Sequence, residues 1–194
     1  YRIHFRLRDA PAFVKSAGAE AHRSEGNFSD EIADAIQRAA EEVSAGMLDA
    51  HFPLDVFQTG SGTSWNMNMN EVLAHRANEF LRSGETIHPN DHVNRGQSSN
   101  DVIPAASNIA ARQMAGELHS ALLSLAQAFD EKSDMWADDL KLGRTHLQDA
   151  IPMRVGEEVA AWAKQIKRST DRIKQHLAGL EELPLGGTAI GTGL

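Results

Sequence analysis

Val159, Ile166, Ile173 and Leu180 fall seven residues apart in a stretch with no proline between Pro152 and Pro184. An apolar residue at every seventh position keeps one stripe on one side of an α-helix and requires a partner along the whole length of that stripe. Val155, Trp162 and Leu177 flank it, so the spacing predicts a helix over about 154–183, ended by Pro184. A second apolar face runs through Val102, Ile103, Ala106, Ile109, Ala110, Met114, Leu118, Leu122, Leu125 and Phe129 and predicts a helix over about 99–133. Pro104 is tolerated there because it falls near the first turn, where helix hydrogen bonds are missing anyway. Two such helices cannot bury each other's faces fully. They need further helices, from more chain or from other subunits.

The rest of the chain points the same way. Ser29 followed by Asp30 and Glu31 is a hydroxyl cap with acids at the positive end of a helix dipole. Ile32, Ile36, Ala39, Val43 and Met47 then recur at helical spacing, fading near Gly46 and ending before Pro53. The segment 52–70 is rich in Gly, Ser, Thr and Asn and is expected to be irregular for much of its length. A helix is expected from Asn70-Glu71 to Gly84, and a loop over 84–101. Nothing alternates convincingly enough to predict a strand, and GRTHLQDAIP, residues 143–152, reads as a polar loop between helices. The fold class is all-α.

The net charge is -8, from 19 basic and 27 acidic residues, which argues against nucleic acid as a partner. With no cysteine, a disulfide framework and a thiol nucleophile are excluded, and a reducing cytoplasmic home is permitted. No apolar run approaches the roughly 20 residues that cross a bilayer, so no membrane partner is expected. The start, YRIHFRLRDA, is basic but lacks the apolar stretch of a signal peptide. A chain that begins at Tyr and stops at GTGL reads as a piece of a longer protein, truncated at both ends.

Four polar clusters carry chemistry. In GSGTSWN, residues 60–66, glycines let backbone N–H groups approach a ligand while Ser61, Thr63 and Asn66 add donors; this suits a carboxylate or phosphate, or an ordinary capped loop. HPNDH, residues 88–92, places two histidines four apart with Asp91 between them. Pro89 works against the regular helix that would align the rings for a metal, and no third ligand is evident, so the expectation is no metal; an anion-binding loop or an Asx-Pro turn remain. Ser98, Ser99 and Asn100 open a helix, where free N–H groups carry partial positive charge and accept anions, and where Ser and Asn are also the usual caps. The fourth cluster holds Arg144, Thr145, His146, Gln148 and Asp149. Thr145 can donate to an oxyanion, and His146 is of the one residue type whose ordinary pKa, about 6.5, lets it take or give a proton at neutral pH.

GSGTSWNMNMNEV, HPNDHVNRGQSSND, GRTHLQDAIPM and LGGTAIGTGL together resemble the class II fumarate hydratases of the fumarase/aspartase superfamily, over about residues 52–194, with a weaker helical likeness from Ala12 onward. The resemblance implies an N-terminal helical domain with substrate loops at 1–97 and part of a central helical bundle at 98–194. It implies a homotetramer whose active sites gather loops from three subunits, and reversible anti addition of water to fumarate giving (S)-malate, without metal or organic cofactor. Ser61, Gly62, Thr63 and Asn66 would serve a substrate carboxylate, Ser98, Ser99 and Asn100 would serve the same pocket from another subunit, and Thr145 would donate a hydrogen bond there. His146 would be the proton-transfer residue, and His88, Pro89, Asn90 and Asp91 would match a second anion site of the family. The family's serine loop, GSSxMPxKxN, does not occur in the 194 residues, so the chain alone is expected to lack hydratase activity. Trp65 stands where the family has a small residue; its indole either narrows the pocket or packs against a neighbour. Thr145-His146 separates fumarase from the ammonia-lyases of the superfamily, which have Thr-Gln. The alternatives are an aspartate ammonia-lyase type of enzyme and a non-catalytic helical assembly module.

Overall fold

The computed structural model describes residues 1–193. Five α-helices of more than one turn follow one another among the described residues: α1 (Phe5–Ser24), α2 (Asp30–Ser44), α3 (Thr63–Asn78), α4 (Ser99–Met135) and α5 (Val155–Leu177). Between α4 and α5 lies a hairpin of β1 (Leu140–Thr145) and β2 (Gln148–Arg154). The all-α expectation holds, qualified by this two-stranded ribbon and by an isolated antiparallel bridge between Arg2 and Asp55. No helix there is long and apolar enough to cross a membrane.

The chain forms two compact units. One contains Tyr1–Ala111 and the described part of the tail from Glu182; the other is Arg112–Glu181. In the first unit α2 starts as its composition dictates: Ser29 accepts a hydrogen bond from the Ile32 N–H, and Asp30 and Glu31 occupy the first turn. Its apolar face, Ile32, Ile36, Ala39 and Val43, is buried against Ala12, Ala19, Met69, Leu73, Ala77 and Ile87 from α1, α3 and the segment after it. Alanines along α1 and α2 leave room for the helices to approach closely. Trp65 packs with Ala10, Ala106 and Ala110, and its indole N–H donates to the Arg8 carbonyl at 3.1 Å. Of the two roles open to it, it takes the packing one.

Three expectations are corrected. The third helix begins at Thr63, not at Asn70. Asn is a poor helix former, but here Asn66, Met69, Asn70 and Leu73 are all buried, so tertiary packing overrides propensity. The last long helix stops being α-helical at Leu177, and one turn of 3-10 helix, Ala178–Glu181, follows it. The segment 143–152 is not an irregular loop but most of an antiparallel hairpin, with Arg144 opposite Asp149 and Thr145 opposite Gln148.

In the second unit the close passage of the α5 start by the end of α4 depends on one glycine. A Cβ at Gly156 would lie 2.5 Å from the Ser133 carbonyl oxygen and 3.0 Å from that of Trp136. The Ser133 hydroxyl donates to the Gly156 carbonyl at 2.9 Å, and the Gly156 N–H donates to Trp136 at 3.0 Å. Gly156→Ala is expected to destabilise the chain by about 1–3 kcal/mol, the usual effect of overpacking against backbone. Urea unfolding measures it, and an unchanged midpoint would contradict the close approach. Val159 and Ala163 are buried in this unit, whereas Met114, Leu118, Leu125 and Trp162 are more than two-fifths exposed.

Candidate functional site

Gly62 caps α3 from the left-handed region, at φ 70°, where glycine is favoured. A Cβ there would also sit 3.1 Å from the Ile103 side chain. No side chain caps this terminus from the Gly62 position, and Gln58 Oε1 accepts from the Trp65 N–H at 2.9 Å. The Ser61 and Thr63 hydroxyls stand 3.1 Å apart at the same end. The result is a helix N-terminus with small donors around it, suited to an anion.

The start of α4 adjoins it. Asn66 Nδ2 donates to Ser99 Oγ at 3.0 Å and to Asn94 Oδ1 at 3.2 Å. The Ser98 N–H donates to Asp101 Oδ1 at 2.9 Å, and the Asn100 N–H donates to Ser98 Oγ at 3.3 Å. The Gly-rich tail closes on the other side: Thr188 N–H donates to Asp101 Oδ2 at 3.0 Å and Asn100 Nδ2 to the Ala189 carbonyl at 2.9 Å. Two clusters far apart in sequence, 60–66 and 98–100, which the resemblance assigned to different subunits, are thus linked within one chain by one buried asparagine.

Beneath these donors lies a residue that the search for polar clusters passed over. Lys15 is completely buried, and its Nζ donates to Asn94 Oδ1 at 2.7 Å and Gln97 Oε1 at 2.9 Å. Burial pushes its pKa down to about 7 against the pull of the Asp101 carboxylate. A basic residue inside the apolar run APAFVKSAGA was the available signal. Asn66 Oδ1 and both amide atoms of Asn70 are buried without a hydrogen-bond partner among the described residues.

Pro89, Asn90 and Asp91 lie in a tight π-helical turn, Pro89–Val93, which His88 caps from an extended conformation. His88 Nδ1 accepts from the Asn90 and Asp91 N–H groups at 3.2 and 3.3 Å, and His92 Nδ1 accepts from the His88 N–H at 2.9 Å. Asp91 Oδ2 lies 3.2 Å from the same His88 Nδ1. Each ring keeps its Nε2 for other use. No His, Asp and Glu cluster able to hold a metal occurs among the described residues.

Thr145 and His146 belong to the second unit. Here Arg144 and Asp149 have a structural explanation: they pair across the hairpin, Nε to Oδ1 at 3.2 Å. His146 and Leu147 form the two-residue turn and both have positive φ, 50° and 63°. Such turns favour Asn-Gly, and side chains with a Cβ lose about 1–2 kcal/mol each in this conformation. Leu147 is 93% exposed and His146 is exposed as well, so burial offers no compensation. A strained histidine at an exposed tip is hard to explain by folding alone.

A family model described as Lyase matches residues 1–194. The chain is 52% identical to the class II fumarate hydratase of Halobacterium salinarum, across 93% of its own length and 39% of that enzyme. It is 48% identical to that of Thermus aquaticus (100% and 42%) and 47% identical to the mitochondrial fumarate hydratase of Danio rerio (100% and 39%). Among solved structures, the class II fumarase of Schistosoma mansoni matches all of the chain and 41% of its own, with a TM-score of 0.93 at 41% identity. A fumarate lyase:delta crystallin from Brucella melitensis bound to cobalt matches 98% and 42%, with a TM-score of 0.90 at 41% identity. The chain spans about two-fifths of the length of these relatives. Matched from its first residue to its last, it belongs to the Lyase family, with class II fumarate hydratases among its similar members.

Proposed function

We propose that this chain supplies part of the active site of a fumarate hydratase, which adds water reversibly and in anti geometry to fumarate, giving (S)-malate. The observation that carries the reading is the link from Asn66 to Ser99, which sets the Ser61–Thr63 helix end beside the Ser98–Asn100 helix end. Removing a proton from the carbon next to a carboxylate builds charge on that carboxylate as an aci-carboxylate. Ser61, Gly62, Thr63, Ser98, Ser99 and Asn100 of one subunit, with Thr145 of another, would be the donors to such oxygens, preorganised before the charge develops. His146 handles protons, acting with a bound water. His88, Pro89, Asn90 and Asp91 belong to a second anion site. No metal or organic cofactor takes part.

In this reading, residues 1–97 are the domain that carries the substrate loops and 98–194 part of a central bundle. The exposed Met114, Leu118, Leu125 and Trp162 support a homotetramer, in which like helices would cover them. A cytoplasmic location accords with an enzyme of a small soluble dicarboxylate. Thr145-His146 favours hydration over ammonia loss.

The family's serine loop is not among these residues, so the 194-residue chain is expected to show no fumarate turnover above background at 240 nm. A chimera carrying residues 1–194 in place of the matching segment of the Thermus aquaticus enzyme is expected to turn over fumarate, and to leave L-aspartate untouched. A folded, tetrameric chimera that is inert to fumarate and malate would overturn the hydratase reading.

A further inference from the structure

A lysine with no exposed surface is an expensive residue to keep, because an ammonium group taken out of water must recover its lost hydration from fixed partners. Lys15 has two, and both come from one short segment, Asn94 and Gln97, immediately before α4. The same Asn94 Oδ1 also accepts from Asn66 Nδ2, whose second bond goes to Ser99 Oγ. Asn94 Nδ2 donates to the Gln97 carbonyl at 3.2 Å, so the segment is tied across its own turn as well. Asp101, directly after Asn100 and only 4% exposed, accepts from the Ser98 and Thr188 N–H groups. The donor-bearing turn is therefore tied to a buried lysine through the segment before it and to a buried carboxylate at Asp101. The fit is close: a Cβ on Gly18, one turn along α1 from Lys15, would lie 2.8 Å from Gln97 Nε2.

We propose that Lys15 is a positioning residue for the dicarboxylate donors Ser98, Ser99 and Asn100, acting through Asn94 and Gln97 from inside the core of the first unit. The proposal rests on the hydratase reading for the identity of the ligand, though not for the mechanics of the turn. Lys15 touches no substrate. An apolar side chain of similar length could fill its space, but Asn94 and Gln97 would lose their donor and the turn its fixed register.

Hydrogen–deuterium exchange on the 194-residue chain tests this, with succinate as the probe ligand. Lys15→Met is expected to speed exchange at the Ser98–Val102 amides at least about tenfold, while the amides of α2 change by less than about twofold. The side-chain amide signals of Asn66, two bonds removed from Lys15, are expected to shift. Where succinate binds the unaltered chain, Lys15→Met is expected to weaken it at least about tenfold. Exchange at Ser98–Val102 that is unchanged, or that rises no more than in α2, overturns the proposal, as does unchanged succinate affinity. If Lys15→Met does not fold, Gln97→Met removes one acceptor and leaves the lysine in place; the same local gain in exchange supports the proposal, and its absence overturns it. Local loosening in a chain that does not bind succinate supports the positioning role, while the hydratase reading stands or falls on the turnover of the chimera.

Discussion

His146→Asn in the chimera is expected to lower fumarate turnover by at least about 100-fold, the lower end of what acid–base assistance contributes. Asparagine keeps a hydrogen-bonding group of similar reach and tolerates positive φ better than most residues, so the turn at φ 50° should survive the change. That separates loss of proton transfer from loss of the hairpin. Circular dichroism and the melting temperature are expected to stay the same or rise slightly. Steady-state rates at 240 nm decide the matter: turnover within a few-fold of the parent would remove the histidine from the mechanism, however suggestive its position.

The second large effect concerns stability and pH. The Lys15 pKa is lowered from its ordinary value of 10.5 to about 7, first by burial, with Asp101 acting in the opposite direction. Between those two values the unfolded chain binds a proton that the folded chain has released. Stability therefore rises with pH across that window. The penalty for a charged, buried lysine is fully present below about 7 and is gone above about 10.5. Each pH unit is worth up to about 1.4 kcal/mol, so the change amounts to a few kcal/mol. Urea unfolding of the chain at pH 7, 8 and 9, with Lys15→Met as reference to cancel other groups, reads this term. The unaltered chain is expected to gain on the variant at each step. A flat or falling difference would mean that Lys15 keeps its proton throughout.

Much of the helical skeleton was legible because its signals are local. Ser29 and the two acids after it start α2, and the apolar positions of α2, α4 and α5 repeat at helical spacing. The start of α3 was hidden because its buried face carries Asn66 and Asn70 among Met69 and Leu73, and a search for apolar periodicity passes over asparagine. The hairpin was hidden for a different reason. Leu140 and Leu142 alternate, but both lie exposed, a bulge shifts the register between Leu142 and Arg144, and the turn is His-Leu rather than Asn-Gly. Of the candidate site, the donors themselves could be picked out by residue type. Their meeting could not, because it depends on Asn66, Asn94 and Lys15, each of which makes its contact 28 to 82 residues away.

The two-residue tip of the hairpin carries a warning for anyone who would make this molecule sturdier. Any procedure that ranks substitutions by folding free energy will replace His146 and Leu147 first, since Asn and Gly would relax the backbone at once. The improved protein would melt later and would have discarded its one candidate proton carrier. Discomfort of the chain at a bare, exposed corner is here a better guide to usefulness than comfort in the core.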